Sequence, residues 1–455
     1  MRLYQALGVR QGDVVAFVGG GGKTSAMLCL ARELRELGLR VLSTTTTRIA
    51  SREIDRSISQ LALGGAQLPP PALADMLQAN GHVFIYQKLK ADDKLQGLRA
   101  EWFDQHIATT SWMDVTLVEA DGARQLPFKG PYSHEPVIPA TATLVVPVVG
   151  MNALGLPLDL EHVYGADMIA ATTGHAEGAP VTQSLIAEVL VHPWLGLKGV
   201  PEGARVVPLL NQVQSEDTYV AASVIARRAL QRRSIHRVAV GAVQDERGPV
   251  WEVHKRVGAV VLAAGRSTRM GSTKMLLPWG DATVVTHVCR TLSDMGLDTT
   301  VVVGHKAQAV ADALAGLPVN LARNPDFAHG EMLSSLKVGL ARLEARGAEG
   351  CLVVLGDQPT LRSEIIHMLL QAYREGRAGI IAPSYRQQRG HPVLIDRRYW
   401  PEIHNLPPGA APRDVVRAHE DDVFHIVVDT PSILHDLDTP EDYEQALSDL
   451  DSGDQ

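Results

Sequence analysis

The sequence predicts an α/β protein of two domains, each a mostly parallel sheet with helices on both faces. Twice, at Val14–Thr24 and at Val257–Lys274, an apolar run of strand length feeds a turn rich in glycine and small residues. That is how a parallel strand buried on both faces delivers a ligand-binding loop. Each such start is followed by short apolar runs alternating with stretches of helical period, the pattern of a doubly wound sheet. The 455 residues also exceed what one core usually holds, at roughly 150 residues per domain.

Hydrophobic residues at 45% against 21% charged leave enough apolar side chains to fill two cores. From Val257 onward 18 Lys and Arg face 26 Asp and Glu, while the preceding part balances 25 against 25. Without a basic patch to neutralise a phosphate backbone, no nucleic-acid partner is expected. Cys29, Cys289 and Cys351 are far apart and odd in number, which argues against a disulfide framework and for a reducing compartment. The start MRLYQALGVRQGD lacks an apolar signal core, and no apolar stretch approaches the roughly 18 residues that span a bilayer. The expectation is a cytoplasmic protein with no membrane contact. The 17 histidines show no H-E-x-x-H or similar ligand spacing.

In chain order, Val14–Val18 is a strand, Gly19–Gly22 a loop, and Lys23 onward a helix that Gly38 stops. Such a loop turns amides and a helix N-terminus toward an anion, so Gly20, Gly22, Lys23 and Thr24 are the expected phosphate site, with Thr24 able to reach a magnesium ion. The domain is P-loop-like rather than a full match. The spacing G-x-x-x-x-G-K-[ST] wants glycine five positions before Gly22, where Phe17 stands. A glycine turn without a ligand is the competing reading. The hydroxyls of Thr44–Thr47 either serve a site or are β-branched strand filler. Val115–Val118 is a further strand ending in Glu119-Ala120-Asp121-Gly122, and acids at such strand ends hold magnesium or its water, Asp121 being the expected ligand. Asn211-Gln212-Val213-Gln214 lacks the lysine and acid of a guanine-reading N-K-x-D, so guanine selectivity is not supported.

These pieces, with LPFKGPYSHEPVIP (Leu126–Pro139), resemble the YqeC-like proteins, accessory factors of selenium-dependent molybdenum hydroxylases, over roughly Met1–Val243. The resemblance implies a context, a molybdenum hydroxylase client, rather than an activity. Gln244–Arg256 is polar, turn-prone and without helical period, so the domains are expected at 1–243 and 257–455 with a linker at 244–256.

In the second domain Ala259–Ala263 is the buried strand, and the turn after Ala264 carries Arg269 and Lys274 among small residues. Glycine there lets the backbone approach a triphosphate with bare amides. Thr299–Val303 and Gly350–Leu355 read as further parallel strands, whose carboxyl ends are the expected site. The second of them delivers Gly356-Asp357-Gln358-Pro359, making Asp357 the first metal-ligand candidate. As a helix cap it would be less natural than Thr360 or Ser363. Along Asp436-Leu437-Asp438 alternation sends both acids to one face. Asp438 is the second candidate ligand and Asp436 its substitute, with Thr439 and Pro440 opening a helix.

The spacing L-A-A-G-x-x-x-R-M-G-x-x-K at Leu262–Lys274 resembles the MobA-like nucleotidyltransferases, and among them the MocA-like molybdenum cofactor cytidylyltransferases, over nearly all of Val257–Leu447. The resemblance implies a Rossmann-like domain in which Leu262, Ala263, Ala264, Gly265 and Gly271 hold the nucleotide. Arg269, Lys274 and Asp357 would be catalytic, and Mg2+ would sit on Asp357 and Asp438. Guanylyl-transferring relatives read L-A-G-G, so Ala263-Ala264 points to CTP. Asn324, Ser334, Ser335 and His391 fall in segments the family uses around its substrate, although helix capping for the serines and packing for His391 compete. The implied reaction moves CMP from CTP to the phosphate of molybdenum–molybdopterin. No Ser-His-Asp or Cys-His set is needed, because a phosphate acceptor is already an anion and catalysis is positioning plus charge neutralisation. Two alternatives stay open: the same chemistry on another base or acceptor, such as a sugar phosphate, and a carrier or insertion chaperone for the cofactor.

Overall fold

The computed structural model describes residues 1–65, 69, 71–108, 110–245, 248–265, 270, 273–328 and 331–452. They divide into two compact units, Met1–His254 and Lys255–Gln455.

The first unit is built on one sheet with the strand order Val250–Lys255, Arg237–Gly241, Leu209–Asn211, Leu144–Gly150, Val14–Gly19, Val115–Glu119, Val41–Thr45, His82–Tyr86 and Ser59–Ala62. Val14–Gly19 lies at its centre, parallel to both neighbours. Its side chains alternate between two cores: Val15 and Phe17 enter one, Val14, Ala16 and Val18 the other. This period of two is why the run reads as continuously apolar. The helix Lys23–Glu36 covers one face, burying Ala26, Met27, Leu30, Ala31 and Leu34 at helical spacing.

Residues 250–255, assigned by composition to the linker, instead form the outermost strand of this sheet. Val250 and Val253 are buried, and the acid and histidine that make the stretch look polar are buried as a pair, with Glu252 Oε2 and His254 Nε2 3.0 Å apart. Glu252 also accepts from the Tyr219 hydroxyl. Charge satisfied inside a fold is invisible to a composition argument.

The second unit is a Rossmann-like sheet ordered Val319–Arg323, Asp298–Val303, Val257–Ala263, Gly350–Leu355, Val393–Asp396 and Ile380–Tyr385, with Val423–Val427 also on the last of these. The first four strands are parallel. Val393–Asp396 runs antiparallel to both neighbours, a strand the sequence reading did not place. Ala259, Val261 and Ala263 face the core under the helices Val284–Asp294 and Ser363–Arg374, and Val260 and Leu262 face the helix Glu331–Ala345. Fully burying a valine such as Val260 or Val261 contributes about 1.5–3 kcal/mol. Val261→Asp, which would strand a carboxylate in that dry layer, is the change that breaks it. Gly339 lets the second helix lie against the sheet, since a Cβ there would fall 2.4 Å from Val260 Cγ1.

All three cysteines are free and buried, and burial pushes the Cys29 thiol to about 11 and that of Cys289 to about 12. No helix among the described residues is long and apolar enough to cross a membrane.

Candidate functional site

In the second unit the Val257–Ala263 and Gly350–Leu355 strands end at one edge, tied there by Gly356 N donating to Leu262 O at 3.1 Å. Lys274 lies at that edge in the short turn Lys274–Leu276, and 7% of it is exposed. Its Nζ donates to Asp438 Oδ1 at 2.5 Å and stands 3.5 Å from Asp357 Oδ2. Leu437 N donates to Asp357 O at 3.3 Å, and Gln358 Nε2 to Asp436 Oδ1 at 2.6 Å, so the two acidic segments are stitched together. Burial pushes the Asp357 carboxyl up, Lys274 pulls it back and Asp436 adds to the rise. Two carboxylates converging on one buried ammonium form a cation site, with the ammonium in the position of the cation. A divalent ion fits that donor pair. Among the described residues no group of three or more His, Cys, Asp or Glu is placed to hold a metal. An ion here would complete its shell with water and ligand phosphates, as magnesium commonly does.

Neither Asp357 nor its rivals cap the next helix. Ser363–Arg374 starts without a side-chain cap, and the Thr360 hydroxyl donates to Ser432 O at 3.2 Å. Thr439 does open its helix: Asp442 N donates to Thr439 Oγ1 at 3.2 Å and Thr439 N to Asp442 Oδ2 at 2.8 Å. This reciprocal bonding holds Asp436 and Asp438 just ahead of a rigid start.

Of the expected nucleotide contacts, Leu262, Ala263 and Ala264 are buried and Gly265 is exposed. Ala264 O accepts from His305 N at 3.2 Å, and the Ala264 methyl is 2.9 Å from where a Cβ would stand on Gly304. Arg269 and Gly271 lie outside the described residues. Asn324 is 1% exposed and keeps its bonds internal: Nδ2 donates to Ser334 Oγ at 2.8 Å and Ser335 Oγ at 3.0 Å, and Oδ1 accepts from Asp326 N at 2.9 Å. These three residues therefore pin the start of the helix Glu331–Ala345 to the end of a strand. His391 is partly buried, its N donating to Ile433 O at 3.0 Å. Burial lowers its pKa, against the pulls of the Val353 carbonyl and Asp436.

In the first unit the glycine loop is pressed into the sheet edge. Gly21 has φ 72°, and a Cβ on it would lie 2.1 Å from Gly150 N. Three of the loop amides are already used, Gly19 N by Asp121 Oδ2 at 3.0 Å, Gly20 N by Val148 O at 2.9 Å and Gly21 N by Leu126 O at 3.0 Å. The expectation that Gly20 offers its amide to an anion is not met here, because the bulge of the loop bonds back to the neighbouring chain. Lys23 is buried, with Nζ 2.6 Å from Gly19 O and 3.2 Å from Asp121 Oδ1. Burial would lower its pKa, but Asp121, Glu119 and Glu135 outweigh it and hold the ammonium above its ordinary value. Asp121 also meets Lys129 Nζ at 3.1 Å, and Lys129 meets Glu135 Oε2 at 3.0 Å.

Asp121 is thus engaged by two ammonium groups, and the acid beside Thr24 is another. Thr24 Oγ1 donates to Glu119 Oε2 at 2.7 Å and lies 3.2 Å from Glu53 Oε2. The strand register sets Glu119 opposite Phe17 on one side and Thr45 on the other. Lys129 and Glu135, both within Leu126–Pro139, are partners that the sequence alone does not single out. The threonine run is structural: Thr44 Oγ1 donates to Ile85 O at 2.8 Å, Thr45 Oγ1 to Glu119 O at 2.9 Å and Thr46 Oγ1 to Val137 O at 2.7 Å.

Two family models match the chain, YqeC protein over residues 15–167 and MobA-like NTP transferase domain over residues 259–423. The uncharacterized protein YqeC of Escherichia coli (strain K12) is 32% identical over 233 residues, 51% of this chain and 88% of the relative. The molybdenum cofactor cytidylyltransferase of the same organism is 26% identical over 188 residues, 41% of this chain and 93% of the relative. Among solved structures, Rv0371c from Mycobacterium tuberculosis H37Rv is 29% identical, covering 42% of this chain and 98% of that one with a TM-score of 0.38.

Proposed function

The chain belongs to the YqeC family through its first unit and carries a MobA-like NTP transferase domain in its second, and from that premise we propose that it is a molybdenum cofactor cytidylyltransferase with an accessory phosphate-binding unit. The observation that carries this reading is the clasp of Lys274 between Asp357 and Asp438 at the carboxyl ends of two parallel strands. Ala263-Ala264 in the preceding loop and the likeness to the E. coli cytidylyltransferase favour CTP as donor.

In the proposed reaction an oxygen of the molybdenum–molybdopterin phosphate attacks the α-phosphorus of CTP in line. A phosphorus–oxygen bond forms to the acceptor, the bond to the β-phosphate oxygen breaks, and pyrophosphate leaves without any proton having to move. Asp357 and Asp438 would hold Mg2+, which would supply neutralisation of phosphate charge in the transition state. Lys274, with Arg269, offsets the charge on departing pyrophosphate, and the ends of the two strands fix the distance between donor and acceptor. In the first unit Lys23, Gly22 and Thr24 would hold a nucleoside triphosphate, with Thr24 and Glu119 as the side chains nearest its metal and Asp121 setting the position of Lys23. The product would pass to a molybdenum hydroxylase client.

The purified protein incubated with molybdenum–molybdopterin and each of CTP, GTP, ATP and UTP tests the reading, by pyrophosphate release and by mass spectrometry of the pterin product. The expected product is the cytosine dinucleotide. Turnover of a sugar phosphate with no reaction of the pterin would overturn it.

A further inference from the structure

In the first unit the central strand Val14–Gly19 ends between unlike neighbours. On one side Val115–Glu119 delivers Glu119 and Asp121, which engage Thr24 and Lys23. On the other side Leu144–Gly150 and Leu209–Asn211 run parallel with Gly150 opposite Asn211, and the next polar side chains along both are neutral amides, Asn152 and Gln212. Charge on one flank of the glycine loop suits phosphate and metal. Amides on the other flank suit an uncharged part of the same ligand, one that carries hydrogen-bonding groups.

Asn211 is 2% exposed and fully engaged, its Nδ2 donating to Gly21 O at 2.8 Å and its Oδ1 accepting from Val243 N at 3.0 Å. It pins the strand end to the loop. Gln212 beside it is not engaged: its Oε1 is buried and, among the described residues, accepts no hydrogen bond, while its backbone sits at φ 59°, where a residue other than glycine is strained. Packing alone explains the burial but neither the unmet carbonyl nor the backbone cost. Gly150 is what admits this oxygen, since a Cβ there would lie 2.2 Å from Gln212 Oε1, 2.6 Å from Asn152 Oδ1 and 3.1 Å from Gly21 Cα. Two amide oxygens thus gather over one bare stretch of backbone beside the loop. What they lack is a donor.

We propose that Gln212 and Asn152 form the base-reading subsite of the first unit, accepting hydrogen bonds from an exocyclic amino group, so that the site takes an adenine or cytosine nucleotide. Hypoxanthine and uracil would set a carbonyl oxygen against the two amide oxygens and are rejected. The proposal rests on the reading of Gly22, Lys23 and Thr24 as a triphosphate site and names the base class of that ligand.

The test uses the full chain and the variant Gln212→Gly, in which the positive φ suits the new residue and only the amide is lost. Calorimetric titration with MgATP, with MgITP and with magnesium tripolyphosphate, which has no base, reads the two parts of the ligand separately. The unaltered chain should bind MgATP at least ~10-fold more tightly than MgITP, and Gln212→Gly should bring the two within about twofold of each other. Tripolyphosphate should bind both proteins alike. A preference seated in the second unit would survive the substitution, so the variant also locates the effect. Equal affinity for MgATP and MgITP in the unaltered chain overturns the proposal, as does a preference that persists in folded Gln212→Gly; in both cases bound tripolyphosphate leaves the phosphate site standing. If neither tripolyphosphate nor a nucleotide binds, the phosphate-site reading fails and takes the subsite with it.

Discussion

Lys274 and Asp438, 164 residues apart in sequence, meet at 2.5 Å, and Asp357 faces the same ammonium from 3.5 Å. The edge of the sheet thereby gathers two carboxylates on one ammonium. Removing one acid leaves the ammonium a partner, so the fold should tolerate a loss that the chemistry does not.

Asp357→Asn is accordingly expected to keep its fold by circular dichroism and to lose at least ~10²-fold in transfer, roughly 3 kcal/mol of transition-state stabilisation. Pyrophosphate release measured at saturating CTP decides it, and near-normal turnover in the folded variant removes Asp357 from the metal site.

Ala264→Gly deletes the methyl that stands against Gly304. The unaltered chain should prefer CTP over GTP, and the variant should bring the two rates within a few-fold of each other. Equal rates before the substitution would refute the base assignment.

In the first unit two neighbouring acids should behave differently. Glu119→Gln keeps an acceptor for the Thr24 hydroxyl and should leave stability nearly unchanged while weakening magnesium-dependent triphosphate binding about tenfold. Asp121→Asn leaves Lys23 and Lys129 short of a buried counter-charge and should cost about 3–5 kcal/mol in urea unfolding. Calorimetric titration with MgATP and MgCTP, beside the unfolding curves, separates these roles. The opposite ranking would return the metal to Asp121.

His82 is 5% exposed beside Ser43, their Nε2 and Oγ 2.8 Å apart, and burial with help from Arg35 lowers its pKa to about 4. Above pH ~6.5 both folded and unfolded chains carry it neutral and it adds no pH dependence. As pH falls from there toward 4 the unfolded chain takes up a proton that the folded one refuses, and stability drops by roughly 3 kcal/mol. His82→Gln should flatten the stability profile over that window by a comparable amount. Parallel profiles for the two proteins would show that His82 protonates without strain.

The strand Val250–Lys255 bears on where the chain can be divided. Fragments Met1–His254 and Lys255–Gln455 are each expected to fold, the second retaining cytidylyl transfer. Met1–Val243 would lose the buried Val250 and Val253 and the bond from the Met1 amino group to Val250 O at 2.8 Å, so its thermal midpoint should lie below that of Met1–His254. If activity appears only when both long fragments are recombined, the first unit completes the transferase site.

What was legible in the sequence was whatever depended on near neighbours. Val14–Val18 and Ala259–Ala263 announce parallel strands because both faces are buried and no polar residue interrupts them. Thr439 announces a helix start because its partner is three residues on. Lys274, Asp357 and Asp438 could each be chosen by type and strand end, but not their mutual contact, which needs a sheet bringing distant segments to one edge. The different partners of Glu119 and Asp121, Thr24 for one and Lys23 with Lys129 for the other, depend on register and on distant segments. Val250–Lys255 misled because its charges are neutralised by one another, and Asn324 because an amide that pins a helix looks in sequence like one that waits for a substrate.

An anion arriving at the glycine loop of the first unit does not meet a waiting ammonium. Lys23 is already bonded to Gly19 O and Asp121, and Asp121 is shared with Lys129, so occupancy is a displacement in which old contacts are surrendered as new ones form. Only the difference between the two sets appears as affinity. A ligand that replaces several of these contacts at once, as a chain of phosphates with its own metal would, is favoured over one that replaces a single contact. The buried ion pairs thus set the contacts that any occupant of this loop would have to replace.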